Sequence, residues 1–283
     1  MTNTDKRPSA AEPHFLCPPW SGRFGVEVYS TTRVGGVSLP PFDSLNLGLH
    51  VDDAARAVNE NREILKRSLT LKQEPLWLKQ VHGNTIVKAE DEQPVFSMRR
   101  SATSESLSPP VADAAWTRQR NLPLTVLTAD CLPVVLATGA HSEYSVEQKS
   151  IAVIHAGWRG LASGVLQNAI DALDAKPTSI AVWLGPAIGP QQFEVGGDVL
   201  EAFVAVLPDC EADCFIPHPD KQHEGKWLCN LYSLARRILA ERGITEISGG
   251  NHCTFSDSDL FFSHRRDRGE TGRLATLALI RDN

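Results

Sequence analysis

The chain has 283 residues, 42% of them hydrophobic and 22% charged, a balance that lets a globular protein bury a core without disulfide or metal staples. Lys and Arg number 28 against 34 Asp and Glu, and the net charge of −6 argues against a general nucleic-acid binder, which needs a basic excess to release counterions. No apolar run approaches the ~20 residues that span a bilayer, and the polar start MTNTDKRPSAAEPHF lacks the apolar core of a secretory signal.

Residues 1–14 read as a disordered tail, followed by one catalytic domain over 15–283. Short β-type runs predict strands at Phe24–Tyr29, Leu76–Val81, Leu124–Leu127, Val134–Ala137, Ile151–His155, Ile180–Leu184 and Leu274–Ile280. A first helix is expected after Asp52 and Asp53, which can cap it, running through Glu63–Leu69. The stretch 91–110, DEQPVFSMRRSATSESLSPP, is rich in Ser and Pro and reads as an inserted surface loop. A second helix is expected near Leu161–Leu173, with Leu161, Val165, Leu166, Ile170 and Leu173 on one face. A third begins after Asn230 and stops at Gly243, with Leu231, Leu234, Ile238 and Leu239 as its apolar stripe. Strands and helices mix without strict βαβ alternation, which favours sheets with helices packed outside. The six cysteines, at 17, 131, 210, 214, 229 and 253, form no CxxC pair, so reduced thiols and a cytoplasmic setting are expected.

No GxGxxG, GxxxxGK[ST], HExxH or GxSxG occurs, which weighs against dinucleotide binding, P-loop hydrolysis, zincin chemistry and a serine elbow. Three polar residues end apolar runs: His82 after Leu76–Val81, Cys131 after Leu124–Asp130, and His155 after Ile151–Ile154. Rigid strand ends leading into Gly-rich turns suit functional groups. Two imidazoles and a thiolate can make a three-ligand zinc site with an open position, although each residue alone also reads as structural. The turn Gly157-Trp158-Arg159-Gly160 opens the second helix, where free N–H groups and Arg159 can hold an anion, or the glycines can simply permit a tight turn. Arg265 and Arg266 form a compact basic cluster, and His50, His252 and His264 read as bystanders or pocket walls.

The segments STTRVGGVSLPPFDSLNLGLHV (30–51), WLKQVHGNTIV (77–87), ADAAWT (112–117), TADCLPVVLA (128–137), IAVIHAGWRG (151–160), WLGPAIGPQQFEVGGDV (183–199) and FFSHRRD…TGRLATLALI (261–280) resemble the YfiH family, also called laccase-domain or polyphenol-oxidase-like. The resemblance runs in order from about Gly25 to Ile280. It departs at the 91–110 loop, longer than usual, and at His264, where a Tyr is common.

The resemblance implies an α+β fold, a single four-layer α/β/β/α sandwich with the site at one edge. It implies a zinc-dependent purine nucleoside enzyme: phosphorolysis of adenosine, inosine and methylthioadenosine to base and ribose 1-phosphate, with adenosine deamination. The family's zinc ligands fall on His82, Cys131 and His155, and copper is a weaker alternative. Around them, Asp130 and Arg159 are expected to act in catalysis, with Asp113 and Asp130 the candidate proton shuttles. Arg33, Asp113, Gly157, Gly160 and Arg265 are expected at the substrate. The partners implied are a nucleoside and phosphate, with no nucleic acid or membrane, in a monomer or homodimer. Alternatives are a hydrolase editing a UDP-muramoyl-Ser cell-wall precursor, with Cys131 or a metal-bound water as nucleophile, and a copper polyphenol oxidase.

Overall fold

The computed structural model describes residues 12–22, 25–92, 108–139 and 149–282. The expected tail therefore lies outside the described residues over 1–11, and the Ser/Pro loop does so over 93–107. Residue His14 is already tied down, its carbonyl accepting from the Thr32 backbone N–H.

Two sheets stack face to face. The first is antiparallel, in the order β1 (Phe15–Leu16), β2 (Val26–Thr31), β13 (Leu274–Ile280), β5 (Leu124–Thr128). The second has six strands: β12 (Glu246–Gly249), β8 (Ile180–Leu184), β6 (Leu132–Thr138), β7 (Ile151–Ala156), β4 (Ala114–Thr117) and β3 (Ile86–Lys88). Its outer pairs β12–β8 and β3–β4 are parallel and its inner pairs antiparallel. A small third sheet runs β10 (Phe215–Pro217), β11 (Trp227–Cys229), β9 (Glu194–Val195).

The period-two alternation of a strand sorts side chains between layers. On β6 and β7, Val135, Ala137, Ile151 and Val153 face Val26, Val28, Leu124, Val126 and Ala278 of the first sheet. Their neighbours Val134, Leu136, Ala152 and Ile154 face helices α3 (Val165–Leu173) and α6 (Leu231–Glu241). The far face of the first sheet, Ala275, Leu277 and Leu279, packs on Leu65 of helix α1 (Ala55–Ser68). The layers are thus α/β/β/α, the expected sandwich. Both faces of β6 and β7 are buried, which explains their unbroken apolar runs. Each fully buried Leu or Ile contributes about 1.5–3 kcal/mol.

Three expectations need correction. The run Leu76–Val81 forms no regular strand, only isolated bridges from Leu76 to Leu124 and Lys79 to Val111. The Gln80 side chain takes the place of a backbone partner, donating to the Leu127 carbonyl and accepting from the Leu127 N–H, both at 2.8 Å. The second helix is broken into α2 (Trp158–Ala162) and α3, because Gly164 sits at φ +91°. Asp53 does not cap α1: Ala54 holds the cap position, while the Asp53 carboxylate accepts from Ser38, Asn46 and the Ala54 N–H. Asn230 does cap α6, accepting from the Ser233 N–H, and Gly243 follows that helix at φ +76°. Short helices α4 (Gly197–Val204) and α5 (Glu211–Cys214) complete the outer layer. All six cysteines are free thiols, and among the described residues no helix is long and apolar enough to cross a membrane.

Candidate active site

The inter-sheet layer ends where β7 presents His155 in place of another aliphatic residue. The antiparallel register sets Leu132 opposite Ala156, so the next residue out on the β6 side is Cys131 and on the β7 side Gly157. A Cβ on Gly157 would lie 3.1 Å from Cys131 Sγ and 3.3 Å from His82 Cδ2, so the glycine leaves room for the side chains gathered there. His82 reaches them from the loop before β3, with its backbone at φ +60°. The ligand atoms of His82, Cys131 and His155 all lie within 4.8 Å of one another. Cys131 Sγ stands 3.8 Å from His82 Nε2, and the two imidazole rings meet edge to face at 4.7 Å.

Asp113 organises this group from behind. It is fully buried, and it accepts from the Val81, His82 and Gly83 backbone N–H groups at 3.2, 2.9 and 2.7 Å. It also accepts from His155 Nδ1 at 2.8 Å, which fixes the proton there and leaves Nε2 for the site. Burial alone would raise its pKa, but the His155 contact and the backbone donors hold it below the usual carboxylate range. Burial would likewise raise the Cys131 thiol, yet the adjacent His155 imidazolium and the contacts from both histidines bring it down to about 6. His155 moves the other way: burial opposes its charge, but the Cys131 thiolate and Asp113 raise it to about 9. A negative sulfur held beside two imidazoles, one of them backed by a carboxylate, fits a zinc-type ion.

The triad opens into a cavity of about 720 Å³. One part of its wall is apolar: Trp158, Ile188, Phe193 and Leu231. Another part carries the cations Arg62 and Arg273, together with His50. Arg62 lies 3.8 Å over the Trp77 ring and donates to the Leu47 carbonyl, and burial lowers its pKa to about 10. Arg273 donates to the Thr271 and Gly272 carbonyls, and burial lowers its pKa too. Burial and the two arginines also lower His50, favouring its neutral form. Among the described residues no carboxylate forms an ion pair with Arg62 or Arg273.

The other residues singled out in the sequence are distributed as follows. Asp130, at φ +91°, accepts from Thr254 Oγ1 at 2.6 Å and from the Arg265 N–H at 2.7 Å, so both carboxylate oxygens are engaged in holding the cavity wall. Arg265 lines the cavity, its guanidinium held by the Glu194 carbonyl. Asp113 lies beneath the ligands rather than at the cavity surface. Arg159 is exposed, stacked 4.3 Å over the Trp158 ring, and does not line the cavity. Gly160 is buried against the Gly83 carbonyl, 2.9 Å from where its Cβ would stand. Arg33 is also away from the cavity, donating to Asp43 and the Ser258 carbonyl under the Phe262 ring. His50 and His264 are cavity walls, and His252 is not.

Sequence reasoning passed over Arg62 and Arg273. A signal existed for Arg62: it lies four residues after Val58 and three before Leu65, on the buried stripe of α1.

Residues 27–281 match the family model described as multi-copper polyphenol oxidoreductase laccase. The chain belongs to this family. Among curated relatives, purine nucleoside phosphorylase YfiH of Escherichia coli is 44% identical over 261 residues, covering 92% of this chain and 96% of that protein. Purine nucleoside phosphorylase PA4543 of Pseudomonas aeruginosa is 42% identical, covering 95% and 99%. Among solved structures, Neisseria meningitidis protein NMB0706 aligns with a TM-score of 0.81 at 40% identity, covering 95% of this chain and 99% of that one. YlmD of Geobacillus stearothermophilus aligns at 0.80 with 29% identity, covering 98% of each. The family's description implies a metal, and the His82–Cys131–His155 group is the candidate that the cavity offers.

Proposed function

We propose that this chain is a zinc-dependent purine nucleoside phosphorylase that splits adenosine, inosine and methylthioadenosine into base and ribose 1-phosphate, and that also deaminates adenosine. One observation carries the reading: half-buried Arg62 and Arg273, which form no ion pair among the described residues, face the same cavity as a thiolate–imidazole triad. Glu74 favours the Arg62 charge and the Cys131 thiolate and Asp130 favour that of Arg273, but none of them is ion-paired with the guanidinium, so a wall of this kind keeps donors for an anionic ligand. Phosphate is the anion the reaction needs.

His82, Cys131 and His155 would hold the ion, which when bound supplies Lewis acidity. The protein's own groups do the rest. Trp158, Ile188, Phe193 and Leu231 offer the purine an apolar wall. Arg62 and Arg273 bind and orient phosphate, and neutral His50 can accept a hydrogen bond from its protonated oxygen. A phosphate oxygen forms the bond to C1′ as the C1′–N9 bond breaks, and the purine leaves with the electron pair. Asp113 keeps the His155 proton on Nδ1 throughout. Arg159, exposed on the outer face of Trp158, has no part in this anion site.

The test is phosphate dependence. Inosine cleavage should require phosphate, saturate with it, and yield ribose 1-phosphate. Equal rates in phosphate-free buffer would refute the assignment. Adenosine deamination needs no phosphate, so ammonia release in the same buffer should persist. A second reading draws on the Cys131 thiolate beside a protonated His155, the pairing of a thiol hydrolase. Undiminished activity after chelation, abolished by alkylating Cys131, would favour that reading.

A further inference from the structure

Away from the triad, the small third sheet gathers a second ligand set. Glu194 lies on β9, His218 follows β10, and His223 closes the short helical turn Lys221–His223 on the way to β11. Their ligand atoms all lie within 4.8 Å of one another. His223 Nδ1 meets Glu194 Oε2, and His218 Nε2 stands 3.7 Å from the same oxygen. The two imidazoles stack at 4.4 Å with 26° between their planes, so their nitrogens present to the carboxylate side by side. We propose that Glu194, His218 and His223 form a second metal site, for a zinc-type divalent ion that prefers imidazole ligands.

Several features support this. Two imidazoles and a carboxylate are a donor set suited to zinc, copper(II) or nickel. Two ligands of a tetrahedral zinc, each about 2.0–2.1 Å from it, stand about 3.3 Å apart. The 3.7 Å His218–Glu194 separation is close to that spacing, whereas His223 and Glu194 are in direct contact and must swing apart to admit the ion. The backbone holds the ligands in place: the His218 N–H donates to the Lys226 carbonyl, the Lys226 N–H donates to the His223 carbonyl, and Leu228 pairs with Glu194 across β11 and β9. The side chains of His218, His223 and Glu194 are 18%, 43% and 29% exposed, so an ion can enter from solvent and keep water ligands. One contact opposes the site. The Asp220 N–H donates to His218 Nδ1 at 3.2 Å, and a ring ligating through Nε2 must carry its proton on Nδ1. That long bond in an exposed turn must be given up when the ion binds. The site is also coupled to the cavity, since the Glu194 carbonyl anchors the Arg265 guanidinium.

The experiment is elemental analysis of the full-length protein after equilibrium dialysis against micromolar Zn²⁺. It compares wild type, Cys131→Ala and the double variant His218→Ala/His223→Ala. The double variant should carry one zinc fewer per chain than wild type, whatever the cavity triad holds. Cys131→Ala should keep the hairpin ion, which separates failure here from failure of the cavity assignment. Equal zinc in the wild type and a double variant with an unchanged thermal melt overturns the proposal. If the double variant melts early, Cu²⁺ added to His82→Ala/Cys131→Ala, which leaves a single imidazole in the cavity triad, provides the second readout. Nitrogen couplings from two imidazoles in its electron paramagnetic resonance spectrum support the site, and a spectrum with oxygen ligands alone overturns it.

Discussion

The two triads differ in what stands behind the rings. In the cavity, His155 is nearly inaccessible at 3% exposure, and Asp113 behind it has no exposed surface. On the third sheet, His218 is backed by a backbone N–H in an exposed turn, and His223 is 43% exposed. The cavity triad draws its members from three separate places, the loop before β3, the start of β6 and the end of β7, whereas the other draws two of its three from a single hairpin. In the cavity the mutual attraction of the Cys131 thiolate and His155, with Asp113 behind the ring, outweighs the cost of burial, so the thiol falls and His155 rises. The two triads thus differ in setting as well as in ligands: only the cavity triad has a buried carboxylate behind it and a shielded wall around it.

The sharpest way to break this contrast is Cys131→Ala. It should empty the cavity triad of zinc and reduce phosphorolysis by more than the ~10–100-fold typical of losing a supporting partner, read by metal content and initial rates. Next in size is Arg273→Ala. A lost charge-assisted contact to phosphate is worth about 1.5–3 kcal/mol, so kcat/KM for phosphate should fall ~10–150-fold, with zinc content unchanged. Asp113→Asn should weaken cavity zinc ~10–100-fold, measured by competition with a chromogenic chelator, because the amide presents the wrong partner to His155 or to the backbone donors.

Asp267 tests a purely structural carboxylate. It accepts from the Arg266 side chain and from Thr271, and these contacts outweigh burial to hold its pKa below the ordinary 3.8. A depressed folded-state pKa means that its stabilisation is complete above about pH 3.8 and is lost as pH falls through the folded value. Asp267→Asn should therefore cost about 1–3 kcal/mol at neutral pH and flatten the acid limb of the stability curve, followed by urea titration. The smallest effect is expected of His223→Ala in the absence of added metal: a change in stability within about 0.5 kcal/mol, as for a surface substitution.

Elements built on continuous apolar runs were legible from composition alone. β8 spans Ile180–Leu184 and β13 spans Leu274–Ile280, as expected, because both faces of each are buried and the run length equals the strand length. Leu76–Val81 misled for the same reason: it is apolar enough for a strand, but its pairing is made by the Gln80 side chain. The cavity triad could be suspected from three polar residues at strand ends. Its members are too far apart in sequence for a local metal motif, and only the register of β6 on β7 sets Cys131 against Gly157. Arg62 and Arg273 stayed hidden because a cation on a buried face looks like a snorkelling surface residue until the facing wall is known. Arg159, beside the glycines, drew attention by its neighbours, but on the short α2 its side chain turns outward over Trp158.

The position of β13 bears on how the chain is made. It lies between β2 and β5, and its partners on β2 are some 250 positions earlier, as in Thr276 opposite Ser30. Synthesis runs from the N-terminus, so the first sheet lacks its middle strand until Leu274–Ile280 has emerged from the ribosome. Until then β2 and β5 expose unpaired backbone edges, and the inter-sheet layer has an open side. Such long-range closure slows folding and leaves an interval in which a chaperone that shields the nascent chain should raise the yield of folded protein.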